Sequence, residues 1–279
     1  MKNSLYFLIC ISFLFFNCKT DRQTKTANES DNLIKNDTTS TEAEEHKTES
    51  VYEYTEDGIK VSAISHATMV LEYNDTSIYI DPVGGKEAFK GFNPPTFAII
   101  TDIHGDHLNV ETLQQISTST TIIIGPRAVA EQMPEELKNN FTVIFNGLSR
   151  NFKTSKIELN VEAIPMYNLP EDENSRHPKG RGNGYILTIN GKRIYISGDT
   201  EDIPEMRQLK NIDMAFVCMN LPYTMTVDSA ASAVLQFNPK EVFPYHYRGQ
   251  GGLSDVDKFK NIINSQNSDI KVIQLDWYH

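Results

Sequence analysis

The sequence predicts an α/β fold in which two mixed β-sheets pack together and helices cover the outside. Three observations carry this. Short β-rich apolar runs are numerous, those in the first half are separated by tight polar turns as in hairpins, and those further on alternate with helical segments. In order, the strand-like runs are KVSAI (60–64), TMVLEY (68–73), SIYID (77–81), FAIIT (97–101), TIII (121–124) and FTVIF (141–145). They continue with IELNVEAI (157–164), YILTI (185–189), RIYIS (193–197), MAFV (214–217), EVFPY (241–245) and KVIQL (271–275). FAII and TIII are apolar throughout, as expected of central strands covered on both faces. Asn190-Gly191 is a strong two-residue turn between YILTI and the next strand. Helices are expected at VETLQQI, with Asn109 as N-cap, and at VDSAASAVLQF, capped by Thr226. The second sets Val227, Ala230, Ala231, Val234 and Leu235 along one stripe. A third helix over DVDKFKNII turns Val256, Phe259, Ile262 and Ile263 inward.

The chain has 279 residues, and its first eighteen are one lysine, an apolar run and a terminal cysteine. That run is short for a membrane span and reads as a secretory signal. It resembles a bacterial lipoprotein signal, which implies export and a lipid anchor at Cys18 holding the protein to the cell envelope. Residues 19–50 have no aromatic and few aliphatic side chains, so they are expected to form a flexible tether, with the folded domain over residues 51–279.

The net charge of −11 becomes one unit more negative without the signal, which carries Lys2 and no acid. A field of that sign argues against nucleic acid as a partner. Of the three cysteines, Cys10 and Cys18 belong to the signal, so the domain has only Cys218 and no internal disulfide. Cys218 follows the apolar run MAFV and reads as a packed strand-end residue rather than a nucleophile.

The segment TDIHGDHLN (101–109) places Asp102, His104, Asp106 and His107 just beyond the strand FAII. Imidazoles and carboxylates leaving the end of a strand can converge on one cation, because a rigid element positions them. A polar loop capping the next helix is the alternative. Asp199 in GDT and His246 in PYHY, also just beyond strand-like runs, favour the metal site.

Taken together, HATMVLEYNDTSIYIDP, TDIHGDH, AIPMYN, HPKGRGNGYILT, RIYISGDTEDIPEM, NLPYTMT and PYHY resemble the metallo-β-lactamase-fold hydrolases. More narrowly, they are similar to ascorbate-phosphate lactonase-like and N-acylphosphatidylethanolamine phospholipase D-like proteins. The resemblance implies an αββα sandwich with metal ions at the sheet edges. It places Asp106, His107 and His246 on one metal, Asp199 as a bridge and His104 on the other metal. Two positions depart from the family pattern. Asp102 stands where the first histidine of the motif is expected, and Asn168 stands near the distant histidine. The site of Asp106, His107 and His246 is therefore expected to be intact, and the site of Asp102 and His104 weaker. His177, nine residues after Asn168, is open to three readings: a replacement ligand, a substrate contact or a surface histidine.

Lys179 and Arg181 lie in a glycine-rich loop and Arg248 just past His246; they read either as solvated charges or as recognition groups for a carboxylate or phosphate. Glycines at 180, 182 and 184 are expected to let that loop approach the metals. Tyr223 and Tyr247 are candidates for the pocket wall or the core, and His66 for a supporting or core position. The implied activity is zinc-dependent hydrolysis with one or two ions, manganese or iron being alternatives. Asp106 would orient water and His107 would hold the metal. The substrate would be a small anionic ester, lactone or phosphodiester, or a lipid head group. A phospholipase D-like lipid hydrolase and a non-catalytic metal-binding or ligand-binding envelope protein are the competing readings.

Overall fold

The computed structural model describes residues 52–279. The first half builds β1 (Glu53–Glu56), β2 (Ile59–Ser65), β3 (Thr68–Tyr73), β4 (Thr76–Ile80), β5 (Phe97–Ile99), α1 (Val110–Ile116) and β6 (Ile122–Gly125). It ends with α2 (Arg127–Ala130), α3 (Glu135–Lys138) and β7 (Phe141–Val143). The second half begins with β8 (Ser149–Lys153), β9 (Glu158–Met166), β10 (Gly182–Ile189), β11 (Lys192–Ile196), α4 (Pro204–Arg207) and β12 (Met214–Cys218). It closes with α5 (Val227–Phe237), β13 (Glu241–Tyr245), β14 (Arg248–Gly249), β15 (Gly252–Leu253), α6 (Val256–Gln266) and β16 (Lys271–Val272).

Two seven-stranded sheets result, ordered β1-β2-β3-β4-β5-β6-β7 and β16-β13-β12-β11-β10-β9-β8. Each is built to the same plan. β1 to β4 pair antiparallel and β4 to β7 parallel; β8 to β11 pair antiparallel, and β11, β12, β13 and β16 parallel. The two-sheet sandwich flanked by helices is the fold expected from the sequence. Its common plan in the two halves is not visible there, because corresponding strands share pattern and not residues.

The core lies between the sheets, where Val61, Leu71 and Ile80 of the first join Leu159, Leu187, Ile196 and Phe216 of the second in one buried cluster. Helices α1 to α3 cover the outer face of the first sheet through Leu113, Val129 and Leu137. On the second, α5 and α6 bury Ala230, Val234, Phe237, Phe259 and Ile263. The expected caps form: Asn109 accepts from the Thr112 amide and Thr226 from the Ser229 amide. Asn190 and Gly191 both take positive φ (49° and 78°), as a tight hairpin turn requires.

Several elements escape sequence reading. β8 is an edge strand of mostly exposed residues, SRNFK, and offers no apolar alternation to recognise. The expected strand KVIQL stops after Val272. The four-residue helices α2 to α4 are too short to show a helical period.

The expectation of an exported, lipid-anchored membrane protein is corrected. No helix among the described residues is long and apolar enough to cross a membrane. The longest have 11 residues, about half of the roughly 20 that a span needs. The signal segment 1–18 with Cys18, the tether 19–50 and Val51 lie outside the described residues. Nothing among the described residues supports the anchor at Cys18, the membrane contact, the lipid head group or the envelope location.

Candidate metal centre

The candidate residues collect beyond the C-terminal ends of parallel strands. Asp81 follows β4, the segment from Thr101 to His107 follows β5, Asp199 follows β11, Asn220 follows β12 and His246 follows β13. Open parallel sheets present their strand-end loops at such a rim, so groups far apart in sequence meet there. The backbones under the site approach closely. A Cβ on Gly184 would lie 2.8 Å from the Ser197 carbonyl oxygen, and one on Gly198 2.7 Å from Met166 Sδ. Gly182 and Gly184 thus serve strand packing in β10, where the sequence reading set them in a loop approaching the metals. Asp81, His66 and His246 each take positive φ, 46°, 55° and 46°, a backbone cost tolerated where the surroundings fix the residue.

His107, Asp199 and His246 form the most buried group, with ligand atoms within 4.8 Å of one another. His107 Nε2 lies 3.1 Å from His246 Nε2 and 3.4 Å from Asp199 Oδ2, and His246 Nε2 lies 2.9 Å from Asp199 Oδ1. On the far side of the ring, His107 Nδ1 donates to Asp81 Oδ2 at 2.8 Å. Asp81 is held in turn by the amide and hydroxyl of Thr101, at 2.7 and 2.6 Å. With its Nδ1 proton given to Asp81, His107 has Nε2 to direct at the site, the arrangement that carboxylates impose on metal-binding histidines. Burial opposes a charged His107 ring, yet Asp199 and Asp81 outweigh it and lift its pKa well above the ordinary value. Burial likewise opposes ionisation of Asp199, but His246 and His107 hold it well below the usual carboxylate range. Burial lowers the pKa of His246, against the opposing pull of Asp199. Positive charge is favoured at this point, and a bound cation would supply it.

Asp102, His104 and His177 make a second group beside the first. Asp102 Oδ2 lies 2.6 Å from His104 Nδ1 and 4.0 Å from His177 Nε2. His177 Nε2 is also 3.2 Å from Asp199 Oδ2, so Asp199 faces both groups. Arg181 grips Asp102 through Nε at 3.2 Å and Nη2 at 3.0 Å. Burial opposes ionisation of Asp102, but His104, His107 and Arg181 bring its pKa down to about 2.

Asn168 is not aimed at a cation. Its side-chain oxygen accepts from the His177 amide, and its Nδ2 donates to the Tyr223 carbonyl. His177 is fully buried, which removes the surface reading. Its Nε2 and Asp199 Oδ1 are buried and make no well-aligned hydrogen bond among the described residues, although they lie 3.2 Å from Asp199 Oδ2 and 2.9 Å from His246 Nε2 respectively. Buried polar atoms without partners are costly in a folded protein. Paired imidazole nitrogens and carboxylate oxygens converging in this way fit a divalent cation.

Asp106 is the most exposed member of the constellation, its side chain 36 % accessible, with Oδ2 3.6 Å from His246 Nε2 and 3.4 Å from His66 Nε2. Burial opposes its ionisation, but His66, His107 and His246 keep it ionised. His66 Nδ1 meets the Tyr278 hydroxyl at 2.9 Å, and that hydroxyl accepts from the Arg248 amide at 2.8 Å. The Tyr278 proton is thus available to His66 Nδ1, which leaves the His66 Nε2 proton facing Asp106.

All seven metal candidates, Asp102, His104, Asp106, His107, His177, Asp199 and His246, meet at this rim. Of the four substrate candidates, Arg181 also reaches this rim, through Asp102. Lys179 is engaged by Glu171 at 2.9 Å and Glu205 at 3.3 Å, and Arg181 by Asp102. Tyr247 is buried against Tyr278, and Tyr223 stacks under the Arg176 guanidinium. Charge in a loop gives no sign of which carboxylate takes it. Sequence reasoning assigned no role to Asp81, Thr101, Asn220 or Tyr278. Only Asp81, a strand-end acid before Pro82, carried a local signal.

A family model described as a beta-lactamase superfamily domain matches residues 60–246. A UPF0173 metal-dependent hydrolase from Pyrococcus abyssi is 26 % identical over 219 residues, 75 % of this chain and 93 % of that protein. A crystal structure described as a metal-dependent hydrolase from Parabacteroides distasonis shares 36 % identity. It covers 78 % of this chain and 94 % of its own, with a TM-score of 0.67. The metallo hydrolase Igni18 from Ignicoccus hospitalis has the same fold at 20 % identity, covering 79 % and 96 %, with a TM-score of 0.65. With the two-sheet sandwich and the histidine–aspartate groups at its rim, these matches show that the chain belongs to the metallo-β-lactamase superfamily and is a metal-dependent hydrolase.

Proposed function

We propose that the chain hydrolyses a small anionic ester, lactone or phosphodiester at a zinc centre formed by His107, His246, Asp199 and Asp106. A weaker neighbouring position is formed by Asp102, His104 and His177. The observation that carries this reading is the convergence of the buried donors of His107, Asp199 and His246, with Asp81 fixing the His107 proton on the far nitrogen. Nitrogen and carboxylate donors in this mixture suit zinc, and manganese and iron accept the same set. Arg181 already neutralises Asp102, which lowers the demand for a cation at the second position.

A divalent cation bound there supplies Lewis acidity, bringing the pKa of water toward roughly 7 and drawing charge from the electrophile. Asp106, ionised and facing the open side, orients the attacking water and takes its proton. His66 stands against Asp106 with an Nε2 proton and fixes the orientation of that carboxylate. No serine or thiolate nucleophile is needed; Cys218 is fully buried. The narrower likeness to lactonase-like and phospholipase D-like proteins puts lactones and phosphodiesters first among substrates to try.

The test is a panel of lactones, carboxylic esters and phosphodiesters, run with zinc-loaded and chelator-stripped protein and with Asp106→Asn. Turnover that needs the metal and falls at least about a hundredfold in Asp106→Asn supports the reading. Turnover indifferent to both treatments overturns it.

A further inference from the structure

Beside the metal centre lies a cleft of about 900 Å³ whose lining includes His66, Gly105 and Asp106. Its wall is apolar where Ile64, Val83, Ala88 and Phe92 line it, and Arg248 stands on its rim. Glu53 is also on the rim, but Lys60 Nζ neutralises it at 2.6 Å. Arg248, like Arg176 over the Tyr223 ring, is a cation near the site held by an aromatic ring. Lys179 and Arg181 are engaged by carboxylates, whereas no carboxylate among the described residues pairs with Arg248. Its guanidinium lies 4.1 Å over the Tyr278 ring, and its amide donates to the Tyr278 hydroxyl that also holds His66. Tyr278 therefore ties an unpaired guanidinium to the histidine that faces Asp106. In a chain of net charge −11, a cation kept free beside a cleft needs a reason.

We propose that this cleft is the substrate pocket and that it selects a monoanion with an apolar body, a carboxylate being the simplest case. The body lies along Val83, Ala88 and Phe92 and the anionic group on Arg248, which leaves the scissile bond toward Asp106. One guanidinium balances one charge, and its planar fork matches a carboxylate with two parallel hydrogen bonds. The apolar wall gives a second handle, since burying a phenyl or short alkyl group there is favourable in proportion to the area covered. This inference deepens the hydrolase reading and rests on it for the identity of the reacting end.

The experiment compares 4-phenylbutyrate with neutral 4-phenylbutyramide, titrated by NMR into the full chain, both zinc-loaded and metal-stripped. Arg248→Gln, Arg248→Lys and Ala88→Phe are measured alongside. The carboxylate should bind about tenfold tighter than the amide, with or without zinc. Arg248→Gln should bring the two to parity, Arg248→Lys should keep part of the preference, and Ala88→Phe should weaken both. The proposal is overturned if neither probe binds, if Arg248→Gln keeps the full preference, or if the preference exists only with zinc, since the carboxylate then sits on the metal. Intact selectivity with no turnover of any ester would remove the hydrolase reading and leave the pocket. Turnover of neutral esters without carboxylate preference would do the reverse.

Discussion

Asn168 and His177 hold each other by two hydrogen bonds of 2.9 Å: the His177 amide donates to Asn168 Oδ1, and the Asn168 amide donates to the His177 carbonyl. The residue that stands near the expected distant histidine is therefore a clamp, and the histidine it clamps comes from the loop nine residues on. Asn168→Ala should lower cation affinity at the Asp102, His104 and His177 position and leave the His107, Asp199 and His246 position intact. The loss of three side-chain hydrogen bonds should also cost about 1–3 kcal/mol of stability. Zinc titration and thermal unfolding of the variant check both, and unchanged affinity at the weaker position would refute the clamp.

Asp81 acts on the site only through His107. Asp81→Ala should lower zinc affinity at the tight position by about 10–100-fold, since it removes the acceptor that fixes the ring. Competition against a zinc chelator measures this directly. An affinity within twofold of the parent would show that the His107–Asp81 contact does not set the ligand.

Much of this was legible in the chain. Strand runs such as FAII and MAFV announce themselves because both their faces are buried. His104, Asp106 and His107 are legible because one strand end carries all three. The role of Asn168 was not, because ligand and clamp use the same amide and only the path of the 168–177 loop separates them. The partner of Arg181 was hidden for a related reason: its carboxylate Asp102 is 79 positions away, and the pairing exists only in the fold. Asp81 reaches His107 across 26 positions, from the end of a different strand.

Cys218 was expected to be a packed strand-end residue, and it closes β12 fully buried. Burial, with Asp199 adding to it, pushes its thiol up to about 11. Iodoacetamide at pH 8 should leave Cys218 unmodified in the native protein and label it after denaturation, as read by peptide mass mapping. Rapid labelling of the native protein would show that β12 opens readily.

A chain beginning at Val51 should fold as the full chain does. β1 starts at Glu53, and the pairing of β1 with β2 needs nothing before it. Thermal unfolding midpoints of the two should agree within a few degrees, and a large loss would place part of the core-forming chain before residue 51.

The central claim is one tight cation position on His107, Asp199 and His246 and a weaker one on Asp102, His104 and His177. Zinc titration of the metal-stripped protein by calorimetry, repeated on His246→Ala and His177→Ala, tests it most directly. Two equivalents of unequal affinity are expected, the tight one lost in His246→Ala and the weak one alone lost in His177→Ala. No zinc uptake, or two equivalents unchanged in both variants, would contradict it.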